Sequence, residues 1–289
     1  MCTELKYQEI KIGNWRLRVL PERWSERLGA RIFELIEQQV FSKHPQTVRL
    51  IFPDQENGEP FFLKLFHPAS VMATVKDYWR ESKAFRSLRQ GIALSRAEFL
   101  VPLAVAAGEE RSCRILKRAF ILTLGVPGEP IPVFLQHRYV VRQDGIFLKQ
   151  KRAGLDSLAR QIRRLHRLGF VHGDLVASNI LVWERADARL EFYLMDNDRT
   201  RRYPQSFPQR LWKRNLIQLN RLPLAGISLQ DRMRFFRAYS GRADWSRANR
   251  DLLRWLERKT RARRKASDAA AARSFRRLMS WKRDYADNV

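Results

Sequence analysis

Two cysteines in 289 residues, Cys2 and Cys113, are too few for a disulfide framework or a four-thiolate metal centre, so a reducing cytosol is the expected setting. Long apolar runs are missing as well. The richest stretches, FLVPLAVAAG and AFILTLGVPG, fall far short of the roughly 20 residues a membrane-spanning helix needs. The opening MCTELKYQEIKIGNW carries no apolar signal core, and any membrane contact is expected to be peripheral. Acidic residues are scarce: 30 Asp and Glu stand against 56 Lys and Arg, a net charge of +26. That excess points to an anionic partner such as nucleic acid, a lipid headgroup or a phosphorylated glycan. Arg accounts for 43 of the 56 cations, and its planar fork grips phosphate at two points. Codon drift explains the preference of Arg over Lys, but not the charge excess.

What is present is ample material for a folded core. Hydrophobic residues make up 45% of the chain and aromatics 11%, and the length suits one large domain or two lobes around a cleft. TVRLIF and PFFLKLF flank PDQENGE, whose Asp, Asn and Gly predict a β-hairpin turn. From Pro68 to Gly91 the apolar spacing of Val71, Val75, Tyr78 or Trp79, Phe85 and Leu88 predicts a helix stopped by Gly91. A strand pair around LVPLAVAAG and CRILKRAFILTL follows. GVPGEPIP then breaks the pattern, which places a boundary or hinge there. Beyond it the period turns helical. Leu155, Leu158, Ile162, Leu165 and Leu168 share one face of a helix ending at Gly169, two short strands, NILVWE and RLEFYLMD, come next, and Ser228 with Asp231 forms a capping box. The expectation is an α+β fold with a strand-rich lobe over 1–125, containing one main helix, and a mostly helical lobe over 126–289.

The chemistry concentrates in FVHGDLVASNILV, residues 170–182. Asp174 and Asn179 occupy a loop between a helix and a strand, and LMDNDRT supplies Asp196 at the end of the next strand. Two strands joined by a turn return to one edge, so the three side chains are expected to converge. Two carboxylates and an amide oxygen are hard ligands that suit Mg2+ rather than zinc. Phosphoryl transfer calls for this set: one carboxylate to take the proton of an attacking hydroxyl, which fits Asp174, and a carboxylate with an amide to hold magnesium on phosphates, which fits Asp196 and Asn179. Lys64, an ammonium within the apolar strand FFLKLF, is the expected phosphate-gripping cation. Burying it demands a partner, and Glu81 on the following helix is the natural one.

Together, the HxDxxxxN loop, the strand-end Asp, the strand Lys and the helix Glu resemble the protein-kinase-like fold. More narrowly, HGDLVASNILV with FYLMDNDR and RNLIQLNRL resembles the lipopolysaccharide kinase family, the Kdo and heptose kinases of the WaaP type, over about residues 30–240. The resemblance implies Asp174 as catalytic base, Asn179 and Asp196 as Mg2+ ligands, Lys64 on the α and β phosphates of ATP with Glu81 positioning it, and Leu122, Thr123 and Leu124 as the segment against which adenine docks. It implies ATP and the anionic lipopolysaccharide core as substrates, at the cytoplasmic face of the bacterial inner membrane.

The departures have meaning. EQQVFSKHPQT stands where a glycine-rich phosphate loop belongs and has no glycine, Asn197 and Asp198 replace the usual Phe and Gly, and Gly173 replaces an Arg. No Ala-Pro-Glu motif follows. These features lead away from a regulated protein kinase toward a kinase of glycans, lipids or small molecules. A protein or small-molecule acceptor, and a nucleic-acid-binding or membrane-binding pseudokinase, are the alternatives. Two basic stretches, Arg199–Arg214 and Arg247–Lys265, serve as solvated faces or anion-binding surfaces, and sequence leaves nucleic acid and membrane equally open for the second. For His137 and His166 the sequence shows no partner.

Overall fold

The computed structural model describes residues 5–38, 46–50, 60–66, 78, 80–140, 145–204, 210–221, 224, 226–241 and 246–286, with the side chains of 46–50, 139–140 and 267–286 excepted. It divides into two compact units. The first comprises Met1–Glu129 with the later segments Asn179–Trp183 and Phe192–Arg201; the second comprises Pro130–Ser178, Glu184–Glu191 and Arg202–Val289. The first crossing thus falls between Glu129 and Pro130, within GVPGEPIP.

The first unit is built on an antiparallel six-stranded sheet. Its strands are β1 (Gln8–Ile12), β2 (Trp15–Val19), β3 (Gln46–Leu50), β4 (Phe61–Phe66), β5 (Ala104–Ser112) and β6 (Ile115–Leu124), in the order β1-β2-β5-β6-β4-β3. Strand alternation decides the faces. In β2, Trp15, Leu17 and Val19 turn inward, and in β4, Phe61, Leu63 and Leu65 do the same. They meet α1 (Glu26–Gln38) through Leu28, Ile32, Leu35 and Ile36, at helical spacing. Gly108 of β5 permits this packing: a Cβ there would lie 2.4 Å from the Phe120 ring and 2.7 Å from Leu17.

The opposite face of the sheet buries Phe66, Ala107, Ala119 and Ile121 against Ala84, Phe85 and Leu88 of α2 (Lys83–Arg96). Among its described residues the first unit therefore has an α-helix on each sheet face, α1 beside the main helix that the sequence predicts. The predicted hairpin pairing is present, Gln46 opposite Leu65 through Leu50 opposite Phe61, while its turn lies outside the described residues. Helix α2 begins after Ser82, whose Oγ accepts from the Phe85 N–H at 3.2 Å. Gly91 does not stop it. A mid-helix glycine costs only about 1 kcal/mol, and burial of Leu88 and Leu94 on either side outweighs that. The upstream positions Val71, Val75 and Trp79 lie outside the described residues.

In the second unit α3 (Gly145–Arg167) buries Leu158, Ile162 and Leu165. It is followed by Gly169, which has a φ of +83° and whose Cβ would lie 2.1 Å from the Tyr203 carbonyl oxygen. Next in the chain come strands β7 (Ile180–Glu184) and β8 (Leu190–Leu194), most of whose residues belong to the first unit, and the second unit continues with α4 (Arg210–Leu219), α5 (Leu229–Ser240) with its Ser228–Asp231 capping box, and α6 (Arg247–Ala286). The end of α5 carries Tyr239 back against α3, and no helix among the described residues is long and apolar enough to cross a membrane.

Candidate active site

In the first unit, Lys64, Asn179 and Asp196 come together. Lys64 extends from the middle of β4, and its ammonium forms an ion pair with the Asp196 carboxylate, 132 residues further along the chain. Its Nζ also lies 5.4 Å from the centre of the Phe66 ring. Asp196 has a left-handed backbone, φ 59° and ψ 53°, a conformation that Asp and Asn tolerate better than most residues. That turn lets β8 end and re-aim its carboxylate. The neighbouring Met195 N–H donates to the Asn179 carbonyl at 2.9 Å, which fastens the strand end to the amide-bearing residue. The Leu194 N–H is held by the Leu100 carbonyl, also at 2.9 Å.

Asn197, in place of the expected aromatic, is buried and donates its amide to the Leu194 carbonyl at 3.0 Å. The 3-10 turn Asn197–Arg199 packs against α2. An amide can plug that space because the strand end offers it an acceptor. Burial, reinforced by the neighbouring Asp196 charge, raises the Asp198 carboxyl above its usual range, while Lys64, Arg199 and Lys83 oppose the shift.

Glu81 is placed differently from expectation. It pairs with Arg18 at 3.7 Å and Arg89 at 2.8 Å, and Lys64 pairs with Asp196 instead. The reason is local: Glu81 precedes α2 on the side where β2 presents Arg18, and Arg89 reaches it from within the helix. The acid that sequence overlooked nearby is Glu109, 4% exposed on β5. It accepts the Ser82 N–H at 3.2 Å and pairs with Arg111 at 3.0 Å, tying the start of α2 to the sheet. Leu122, Thr123 and Leu124 end β6. Leu122 is in the core, Thr123 lies opposite Phe62, and the Leu124 N–H donates to the Leu103 carbonyl at 2.9 Å.

In the second unit the loop carrying Asp174 rests on a buried polar chain. Gln218 Nε2 donates to the Gly173 carbonyl at 3.0 Å and approaches Asp174 Oδ1 at 3.4 Å. Gln218 Oε1 accepts from Asn215 Nδ2 at 3.1 Å, which leaves Asn215 Oδ1 to accept the His172 N–H at 3.0 Å. The same oxygen lies 3.2 Å from His166 Nε2, and His166 Nδ1 lies 2.9 Å from the Tyr239 hydroxyl. With Asn215 Oδ1 fixed as acceptor, the tautomer follows: His166 carries its proton on Nε2, and the Tyr239 hydroxyl donates to Nδ1. Gly173, at φ +79°, shapes the loop where an Arg is usual in protein kinases. The Asn and Gln of RNLIQLNRL are legible as a motif in sequence, but their hydrogen bonds are not.

Burial pushes the His166 imidazole down to about 4, with its Asn215 hydrogen bond a smaller opposing influence. Burial also holds the Tyr239 hydroxyl well above its ordinary value. A depressed histidine removes stability on the acid side. At pH above about 6.5 the residue is neutral in folded and unfolded chains alike, and the full contribution is present. As pH falls below that, the unfolded chain takes up a proton the folded one refuses, and stability declines until the folded residue titrates near 4. The loss is on the order of 3 kcal/mol. Denaturant unfolding from pH 7 to pH 4 is expected to show this slope in the wild type and a flatter one in His166→Gln; identical slopes would place the proton uptake elsewhere.

Among the described residues there is no cluster of three or more His, Cys, Asp or Glu side chains suited to a metal. The donors at the β8 end are instead one carboxylate and one amide residue, a sparse set of the kind Mg2+ accepts when phosphates and water complete its shell.

The lipopolysaccharide kinase (Kdo/WaaP) family model matches residues 49–239, well over half the chain, and that span includes every candidate site residue above. The solved structure of WaaP in complex with acyl carrier protein resembles the chain with a TM-score of 0.57 and 24% identity, covering 80% of this chain and 91% of that one, a likeness of fold. No curated protein sequence matches. The fold is thus the kinase-like one that the motifs imply. With the family model spanning both the lysine strand and the aspartate loop, the chain belongs to the lipopolysaccharide kinase (Kdo/WaaP) family and is a phosphotransferase with a hydroxyl acceptor.

Proposed function

We propose that the protein transfers the γ-phosphate of ATP to a sugar hydroxyl, of Kdo or heptose, in the inner core of lipopolysaccharide. The observation that carries this reading is the meeting of Lys64 with Asp196 beside Asn179, a cation and two oxygen donors brought from distant parts of the chain. In the proposed reaction Lys64 binds the α and β phosphates. Asp196 and Asn179 would hold Mg2+, which when bound neutralises charge on the phosphates. Leu122, Thr123 and Leu124 mark the strand end against which adenine docks, and Glu81 acts on Lys64 only at one remove, through the arginines and the α2 start.

Asp174 accepts the proton of the acceptor hydroxyl as its oxygen bonds to the γ-phosphorus and the bond to the β-phosphate oxygen breaks, releasing ADP. Gln218 and Asn215 are positioning residues, since they hold the Asp174 loop by its main chain and one carboxylate oxygen. The net charge of +26 favours an acidic glycolipid at the cytoplasmic face of a membrane, with peripheral contact. The test is incubation of the purified protein with ATP, Mg2+ and core glycolipid, followed by product mass. A glycan heavier by one phosphate on Kdo or heptose is expected; ATP turnover that is unchanged by glycolipid, with no phosphorylated glycan, would remove this acceptor.

A further inference from the structure

Helix α4 has two sides. Asn215 and Gln218 face the Asp174 loop, while Arg210 and Arg214, with Arg221 just past the helix end, line an open groove of about 700 Å³. Lys259 and Arg263 of α6 supply the facing wall. The remaining lining residues, Ile217, Trp255, Ala262 and Ala266, are apolar. No carboxylate lines the groove among the described residues. Helix α6, whose residues begin beyond the family-matched span, is fastened in place by Arg264, which donates to the Arg221 and Asn220 carbonyls at 2.8 and 2.7 Å. These carbonyls lie just past the C-terminal end of α4, where a guanidinium is favoured.

The charge arrangement works against folding stability. Arg210 and Arg214 are four residues apart on one helix, as are Lys259 and Arg263, a spacing at which like charges repel. Among the described residues, the acids of α6 pair with other arginines, Asp251 3.5 Å from Arg254 and Glu257 2.6 Å from Arg261. Lys213 Nζ lies 5.6 Å from the Trp255 ring centre. A concave surface lined by five cations and, among the described residues, by no carboxylate, together with aromatic and aliphatic side chains, fits a ligand with several anionic oxygens joined to a less polar body. Arg forks match phosphate oxygens in pairs, and the Trp255 face accepts a sugar ring or alkyl segment.

We infer that the groove between α4 and α6 is an anion-binding site for the phosphate groups of a glycolipid headgroup, separate from the Asp174 loop and serving to hold the acceptor. This rests on the acceptor being an anionic glycolipid, as proposed above. The phosphate chemistry could come from glycolipid, membrane phospholipid or free phosphate, and the binding arms separate them.

The experiment measures binding in an Asp174→Ala background, so that turnover plays no part. The probes are lipopolysaccharide core glycolipid, the same material after phosphatase treatment, phosphatidylglycerol vesicles, inorganic phosphate and duplex DNA. The protein with its groove intact is expected to bind intact glycolipid at least about tenfold more tightly than the dephosphorylated form, because each lost phosphate removes charge-assisted hydrogen bonds. Arg214→Gln/Lys259→Gln is expected to abolish that difference while melting no lower than its parent, since it relieves repulsion. Arg210→Gln/Arg263→Gln serves as a second variant. Equal binding of glycolipid by variant and parent, or indifference to phosphatase, would overturn the inference. So would vesicles, phosphate or DNA binding as tightly as the glycolipid and losing affinity in the same variants. Failure of the kinase reading shows separately, as absent phosphate transfer by the wild type despite intact groove binding.

Discussion

Asp174→Ala is expected to lower kcat by about 10²- to 10⁴-fold, the range for losing a general base, with little change in the KM for ATP. The loss of function should be clean, because much of the loop is held by its main chain. The loop is held mainly by groups other than the carboxylate: the Asp174 carbonyl accepts the Val176 N–H at 2.9 Å, the Gly173 carbonyl takes the Gln218 amide, and Leu175 and His172 are fully buried. The carboxylate's own contact with Gln218 is long, at 3.4 Å. Its removal should therefore cost less than about 1 kcal/mol of stability, as for most substitutions that open no cavity and bury no unpaired charge. Stopped-time assays of ATP consumption with core glycolipid, run beside thermal unfolding, check both halves. Wild-type turnover in the variant would remove Asp174 from the chemistry, and a collapsed melting temperature would make it a structural residue.

Asp196→Asn separates charge from shape. Asparagine accepts the left-handed backbone that Asp196 adopts, so the turn at the end of β8 should survive. The pair with Lys64 is lost, but its side chains are 26% and 38% exposed, and at that exposure an ion pair contributes only about 0–1 kcal/mol. Nucleotide binding should suffer far more. Outer-shell partners of a metal typically cost about 10–100-fold in affinity, and a directly coordinating carboxylate is expected to reach or exceed the top of that range. Calorimetric titration of ATP with and without Mg2+ is the measurement. A magnesium-dependent affinity unchanged in the variant would mean that Asp196 binds no metal, and its role would then be confined to the pair with Lys64.

The parts of the site that sequence made legible are those set by short-range order. HGDLVASN and the strand-end Asp196 are read directly because a loop between a helix and a strand, and the strand after it, fix where polar groups emerge. Lys64 is legible because an ammonium inside FFLKLF has few ways to be accommodated. Its partner was not. An ion pair is chosen by distance among side chains far apart in the chain, and Glu81 found Arg18 and Arg89 while Asp196 found Lys64. Helix α1 carries Leu28, Ile32, Leu35 and Ile36 at helical spacing, but its role emerges only when the inward face of the sheet needs a cover. The stop read into Gly91 failed because packing overrode a weak local preference.

Sequence by itself determined the kinase-like class, the loop that carries Asp174 and Asn179, the strand that ends at Asp196, and the positive charge that favours an anionic acceptor. Motif order and period are local properties, and they survive any change of neighbours. Tertiary structure alone decided which carboxylate Lys64 meets, how Tyr239, His166, Asn215 and Gln218 join into one buried chain beneath the Asp174 loop, and which arginines of α4 and α6 face one another across a groove. Those outcomes depend on distances between residues separated by tens of positions. Burial then acts on the result: an imidazole enclosed away from water loses its proton affinity, and cations gathered in a concavity become a site for anions.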